Sequence, residues 1–489
     1  MRPLQNNKNS TKNVLSHINP NWYLLFGIIT LFLAHLSFSV DLAGWISVVP
    51  FLLYLHTTKG WKSRFLFSIA LIVAWSAIVF KIITPPLPYV FIFLYSIPIG
   101  LIHLPAYLLW DRYKNHKWGL FLFPSLMVVL EWIQYTFTPL ASWGVAAYTQ
   151  LHSLEIMQTV AIFGMAGLSF LIYWFNTSIA ELILTRKLRL VSLHIPVAVF
   201  LVLLIFGALR TELSKSTGKE TITIAAVGTD SSIGGLPLPS RESNEQVIKS
   251  IFSRTKKAAK LGAKVIVWNE AAFFLETEYE LAWVDSIKLL SKENGISIVA
   301  SYVVPLSDSP FKFENKYLFI NSNGQIDHEY NKHEPVPGEP AIKGKETLKT
   351  ISIDGTKIGG AICYDYDFPY LAKGYGKLNA DIVTVPSSDW RGIDPLHTRM
   401  AAFRATEQGH SVFRSTRFGL SAAITPYGEM IYQQSSFDTN NKIMIAQLPV
   451  KGIKTIYSVI GDVFVYCCIG FIGVFFIESI QFRNSSNYL

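Results

Sequence analysis

Residues 357–369 read KIGGAICYDYDFP. After Lys357 the run is apolar or glycine, the texture of a strand buried on both faces, and a helix is expected to start near Asp367-Phe368-Pro369. Cys363 then lies at a strand-to-helix turn, where backbone N–H groups and a positive helix terminus approach the sulfur and favour thiolate. Comparable short β-branched runs occur at 221–227 (TITIAAV), 264–268 (KVIVW), 297–304 (SIVASYVV) and 381–385 (DIVTV). Helical patterns fall between them at 244–262, 278–293 and 396–408. Strands alternating with helices predict an α/β sandwich. Further strands at 316–321, 411–416, 419–425 and 442–447, punctuated by Asn323-Gly324 and Tyr427-Gly428, read as antiparallel.

Upstream the texture changes. Of 489 residues half are hydrophobic and only 16% charged, and the mean hydropathy is +0.32. A soluble chain carries about a quarter charged residues, so an ordinary soluble enzyme is disfavoured, as are disorder and a disulfide scaffold. Apolar runs at 22–38, 64–84, 87–110, 118–139, 155–180 and 191–209 are long enough to cross roughly 30 Å of hydrocarbon. A shorter run at 43–57 reads as a seventh crossing, and 456–477 closes the chain as an eighth. The expected plan is a seven-span bundle over 1–210, a soluble domain over 211–452 inserted before the last helix, and a C-terminal helix with a cytoplasmic tail over 453–489.

Orientation follows from Lys and Arg in short loops, which resist translocation. Arg2, Lys8 and Lys12, then Lys59, Lys62 and Arg64, Arg112, Lys114 and Lys117, Arg186, Lys187 and Arg189, and finally Arg483 fall on one side, against Lys81 on the other. The N-terminus is therefore expected in the cytoplasm and the soluble domain on the outer face. The first run, closely followed by others, reads as a retained anchor and not a cleaved signal. The formal charge of +9 is mostly this topological signal and implies no nucleic-acid partner; Lys256-Lys257 reads as a solvated helix face.

Cys467 and Cys468 lie in the last apolar run, where cysteine behaves as a small apolar residue. Cys363 alone belongs to the soluble domain, so an intradomain disulfide is excluded. Two other strand ends carry ionisable groups. The strand 265–268 runs through Asn269 into Glu270, and Tyr330-Asn331-Lys332-His333 places an ammonium beyond another extended segment. A carboxylate beside a thiol can take its proton, and a fixed ammonium can stabilise the oxyanion formed on attack at a carbonyl. Phe273-Phe274-Leu275, just after Glu270, reads either as core or as a lip dipping into the membrane interface. No phosphate loop, internal repeat or metal-ligand cluster is present, and no metal or organic cofactor is expected.

Glu270, Lys332 and Cys363 in their local sequence resemble the Glu-Lys-Cys triad of the nitrilase (carbon–nitrogen hydrolase) superfamily. The fuller resemblance is to the apolipoprotein N-acyltransferase family. It is carried by Leu130-Glu131-Trp132, the stretch from Trp143 to Phe170 with GMAGLSF at 164–170, Tyr330-Asn331-Lys332, Val336-Pro337-Gly338-Glu339, Ile362-Cys363-Tyr364, Asp389-Trp390 and MAAFRATE at 400–407. The resemblance implies an eight-helix transmembrane bundle with an extracytoplasmic αββα sandwich, in a bacterial inner membrane. It implies Cys363 as nucleophile, Glu270 as general base and acid and Lys332 as oxyanion stabiliser, with Glu339 as a second active-site glutamate and Tyr364 as the aromatic after the cysteine. A membrane phospholipid would be the acyl donor, a Cys thioester the intermediate, and the α-amine of a diacylglyceryl-cysteine at an apolipoprotein N-terminus the acceptor, with ping-pong kinetics and a monomeric enzyme. The chain departs from the family at four places: Pro337 runs directly into Gly338, Asp365 replaces a glutamate, Arg417-Phe418 replaces an asparagine pair, and 228–240 lacks the usual pattern. These altered loops motivate one alternative, a membrane-tethered amidase acting on a small amide; a non-enzymatic scaffold is a third reading, disfavoured by the complete triad.

Overall fold

The computed structural model describes residues 19–185, 193–214, 220–229, 231, 233 and 237–486. Its strands, in chain order, are β1 (Thr221–Val227), β2 (Val265–Trp268), β3 (Ser297–Asp308), β4 (Phe311–Ile320), β5 (Ile326–Asn331), β6 (Ile351–Ile353), β7 (Thr356–Gly360), β8 (Ile382–Ser388), β9 (Ser411–Arg417), β10 (Leu420–Ile424), β11 (Met430–Ser435) and β12 (Ile443–Pro449). They form two six-stranded sheets, ordered β12-β1-β2-β3-β4-β5 and β11-β10-β9-β8-β7-β6. Each sheet has a parallel centre, β1-β2-β3 in one and β7-β8-β9 in the other. One expectation is corrected. The segment at 411–416 is not wholly antiparallel: β9 pairs parallel with β8 and antiparallel only with β10. Its polar residues Arg414, Ser415, Thr416 and Arg417 look like those of an outer strand, yet all four are buried, with Arg414 on Asp389 and Arg417 on Ser388 beside the candidate active site.

The two sheets face each other through Ile224, Val265, Val267 and Val299 on one side and Ile358, Ile362, Ile382 and Phe413 on the other. Helices Arg241–Lys260 and Glu280–Asn294 cover the first sheet with Ile248, Ile251, Ala258, Val284, Ile287 and Leu290. Lys256 and Lys257 are on the solvent face of the former. Helices Pro369–Lys377 and Leu396–Gln408 cover the second sheet, and their core is continuous with that of the N-terminal helices. The result is an αββα sandwich, one helical layer of which is pressed against an apolar bundle.

In that bundle, among the described residues, six helices are long and apolar enough to cross a membrane: Trp61–Phe80, Val90–Tyr113, Gly119–Phe137, Val160–Thr185, Ile195–Ser214 and the C-terminal one beginning at Val463. The run at 22–38 gives only Asn21–Ala34, 14 residues. The run at 43–57 is broken into Asp41–Gly44 and Val49–Thr57, because Asn176 of Val160–Thr185 fills the break, accepting from Val48 N at 2.8 Å and donating to Gly44 O at 3.0 Å. The last run is interrupted at Gly461, whose φ is +61°, so Ile456–Ile460 is separate from Val463–Ser486.

Arg64 and Lys114 meet on Asp111 at 2.5 and 2.7 Å, and both donate to Leu55 O. They share one end of the bundle. At the opposite end of Trp61–Phe80, Ile82 O accepts from Trp390 of the sandwich at 2.7 Å. Arg2, Lys8, Lys12, Arg186, Lys187 and Arg189 lie outside the described residues, as does the side chain of Arg483.

Candidate active site

Parallel strands bring their C-terminal ends to one edge of the sandwich, and residues just beyond those ends build the site. Glu270 stands two residues past β2, Lys332 directly follows β5, and Cys363 follows the extended continuation of β7. Lys332 is fixed by its backbone, whose N–H donates to Asn315 O at 2.8 Å and whose carbonyl accepts from Gly344 N at 2.8 Å. Its Nζ donates to Glu270 Oε1 at 2.8 Å and to Glu339 Oε2 at 2.7 Å. Glu339 is aimed by a tight turn in which its N–H donates to Val336 O. Gly338 there has φ +92°, a conformation in which glycine lacks the Cβ penalty. Val336 N in turn donates to Glu339 Oε2 at 2.9 Å. The thiol of Cys363 donates to Ser388 O, 3.6 Å from Sγ, and the Glu270 carboxylate acts on it by its charge.

Cys363 has φ +47°, as does Ala271 beside Glu270. Left-handed backbone at a non-glycine residue costs on the order of 1–3 kcal/mol and persists only where the surroundings impose it. At Cys363 they do: Asp365 Oδ2 accepts from Ile362 N at 2.9 Å and from Tyr330 OH at 2.8 Å, and Oδ1 accepts from Glu334 N at 2.6 Å. The shorter carboxylate thus reaches both the nucleophile turn and the segment that carries Lys332. Burial pushes its pKa up to about 6 against those donors.

With Glu270, Lys332 and Cys363 exposed by only 4, 2 and 3%, charge interactions here are little screened. Burial favours a neutral Glu270, but the Lys332 ammonium and its hydrogen bond, aided by Asn315 and the thiol, overturn that and hold the carboxyl below its ordinary value. Burial likewise disfavours the Lys332 cation, but Glu270 and Glu339 raise its pKa well above the usual range. Cys363 differs from the sequence expectation. Burial first, then the Glu270 and Asp389 carboxylates, push the thiol well up, against the pull of Lys332 and Arg414. The turn alone does not make a thiolate; the resting group is a thiol poised on a carboxylate.

Of the other expected residues, Tyr364 does not face the ion cluster. Its hydroxyl donates to Pro139 O at 2.7 Å, and its ring packs with Ala141 and Phe368. Phe273 and Phe274 are core and not a lip: Phe273 stacks on Tyr302, Phe274 pairs with Val303, and both rings are buried. Sequence reading missed Asn315, whose Nδ2 donates to Glu270 Oε1 at 2.8 Å and Glu339 Oε1 at 3.0 Å. A lone amide preceding the apolar end of β4 was the available signal. It also missed a buried chain behind the thiol. Trp143 Nε1 donates to Asp367 Oδ2 at 2.9 Å, His397 bridges Asp367 and Asp389 at 2.9 and 2.8 Å, and Arg414 Nη2 donates to Asp389 Oδ1 at 2.8 Å. The two carboxylates raise the His397 pKa against burial and the Arg414 charge. Cys363, Asp389 and His397 bring ligand-type atoms within 4.8 Å of one another, but both histidine nitrogens are engaged by carboxylates. That set is committed to ion pairing.

Residues 28–178 match the apolipoprotein N-acyltransferase N-terminal domain and residues 223–457 the carbon–nitrogen hydrolase family. The apolipoprotein N-acyltransferase of Borreliella burgdorferi is 26% identical over 380 residues, 70% of this chain and 71% of that one. That of Bradyrhizobium diazoefficiens is 25% identical over 423 residues, 76% and 77%. Among solved structures, an amidase from Nesterenkonia sp. superposes with a TM-score of 0.39 and 16% identity over 47% of this chain and 91% of that one, a likeness too low to argue from. On the two consecutive domain matches and relatives that span both, the chain belongs to the apolipoprotein N-acyltransferase family of the carbon–nitrogen hydrolase superfamily.

Proposed function

We propose that this membrane protein transfers a fatty acyl chain from a phospholipid, through a thioester on Cys363, to the N-terminal α-amine of a diacylglyceryl-cysteine lipoprotein. One observation carries the reading: a buried thiol beside a carboxylate that an ammonium holds, at the sandwich edge next to the apolar helices. As Sγ attacks the ester carbonyl, its proton passes to Glu270 and the new oxyanion is met by Lys332 and by N–H groups at the turn after Ile362. The ester C–O bond breaks, and Glu270 returns the proton to the departing lysophospholipid. The amine then attacks the thioester, the C–S bond breaks as C–N forms, and its proton returns through Glu270 to the sulfur. Glu339 and Asn315 keep Lys332 and Glu270 in register throughout.

The contacts of Tyr364, Ser142 and Trp143 across the bundle face support lipid substrates reaching the thiol without leaving the bilayer. The reading divides the chain at 1–210, 211–452 and 453–489, with eight spans and the sandwich on the periplasmic face of an inner membrane. The reading takes the enzyme as a monomer. The test is intact mass after incubating the detergent-solubilised protein with phospholipid. An acyl-sized gain that Cys363→Ala abolishes, and that a diacylglyceryl peptide discharges, is expected. Turnover of small amides with no such adduct would overturn the proposal.

A further inference from the structure

Three arginines are buried among the described residues, and one is unlike the others. Arg404 pairs with Glu407 at 2.9 Å and Arg414 with Asp389 at 2.8 Å. Arg417, the last residue of β9 and 5% exposed, has no carboxylate within ion-pair distance among the described residues. Its Nε donates to Ser388 Oγ at 2.8 Å, and its two terminal nitrogens donate to Ser231 O and Ile233 O. Burial lowers its pKa to about 10, offset in part by the charges of Glu270 and Cys363; at neutral pH it is a cation.

A buried charge held only by neutral acceptors is costly unless something in its surroundings needs it. The charges around the sulfur indicate what does. Glu270 reaches it from the end of β2, Lys332 from the end of β5, Asp389 from beyond β8, Arg414 from β9 and His397 from Leu396–Gln408. Lys332 already faces two carboxylates, Arg414 is tied to Asp389, and His397 lies between Asp389 and Asp367. Arg417 is the cation here that no resting carboxylate at the site claims. It also grips Ser388, whose carbonyl receives the Cys363 thiol.

We propose that Arg417 is a positioning residue of the active site. It fastens the segment at Ser231 and Ile233 to the Ser388 end of β8, and it supplies a fixed positive charge that favours negative charge on Cys363 and on the oxyanion formed there. The inference rests on Cys363 being the nucleophile of the proposed acyl transfer, but it is tested without lipid. Alkylation rates of Cys363 in the full-length protein are measured by peptide mass with anionic iodoacetate and neutral iodoacetamide, so that Cys467 and Cys468 do not contribute. The ratio of the two rates reports the local potential, which a change of access alone leaves in place. Arg417→Gln is expected to lower the iodoacetate-to-iodoacetamide ratio about tenfold, the scale of local charge effects on encounter rates, and to slow acyl-adduct formation. Arg417→Lys, with the charge kept, is expected to hold the ratio within about threefold of the wild type. An unchanged ratio in Arg417→Gln, or an equal fall in both variants, overturns the proposal. If Arg417→Gln does not fold, the Arg417→Lys ratio decides alone at the same threefold bound. Wild-type protein that alkylates normally yet gains no acyl adduct sinks the acyl-transfer reading and leaves the Arg417 comparison standing.

Discussion

At the scale of single residues the site is a balance of two carboxylates against one ammonium, and Asn315 keeps it from tipping. Its amide donates to both Glu270 and Glu339, giving Glu270 Oε1 a second donor beside Lys332 and keeping Glu339 Oε1 from being left bare. Asn315→Ala removes both bonds. The cost expected for a buried acceptor losing its donor is about 1–3 kcal/mol, readable as a lower thermal midpoint in detergent, together with slower acyl-adduct formation. The acid limb of stability should move as well. Glu270 is held below its ordinary 4.5, so its ion pair stabilises the fold above that value and is lost as pH falls through the lower folded one. Without Asn315 the folded value moves up toward 4.5, and unfolding on acidification should begin at higher pH than in the wild type. An unshifted acid transition would remove Asn315 from the cluster's energetics.

At the scale of elements, the turn between Gly119–Phe137 and Val160–Thr185 holds the nucleophile from the membrane side. Glu131 anchors it by accepting from Ala146 N at 2.9 Å and Tyr173 OH at 2.8 Å. From it Ser142 and Trp143 both reach Asp367, and Pro139 O receives Tyr364. Trp143→Phe keeps a ring but deletes the donor to Asp367, a hydrogen bond to a carboxylate worth about 1.5–3 kcal/mol. Adduct formation should slow several-fold, whereas Trp132→Phe, which loses a 3.2 Å bond to Asp462 elsewhere on the bundle, should leave it intact. Equal rates in both variants would show that the turn does not position the nucleophile. Such long-range ties also mark what the sequence concealed. Thr221–Val227 was legible to the residue because its β-branched and small apolar residues read as a mostly buried strand, and Cys363 and Glu270 were legible because each follows an apolar strand, whereas Lys332 follows the polar strand Ile326–Asn331 and was legible from its local motif. The parallel pairing of β9 was not, since its buried Arg414 and Arg417 find partners only in the folded state. Nor was the break between Asp41–Gly44 and Val49–Thr57, which depends on an asparagine 128 positions away.

At the scale of the whole molecule, the distribution of charge makes orientation a testable consequence of the fold. Trp61–Phe80, 20 residues, spans about 30 Å at 1.5 Å per residue. Arg64 near its start joins Lys114 on Asp111, and the residues past its end touch Trp390 of the sandwich. The described cationic cluster and the site therefore occupy opposite ends of the bundle. Loops rich in Lys and Arg stay in the cytoplasm, so the sandwich should lie outside, where lipoprotein acceptors with a free N-terminus are exposed after export. Glu278 is on the sandwich surface and Lys59 at the cationic end, both exposed. Single cysteines placed by Glu278→Cys and Lys59→Cys, in a chain whose three native cysteines are replaced by alanine, distinguish the orientations. A membrane-impermeant maleimide applied to intact spheroplasts should label the first and spare the second, with both labelled after permeabilisation. Labelling only the Lys59 position would place the thiol on the cytoplasmic side, away from any exported acceptor, and the proposed reaction could not occur there.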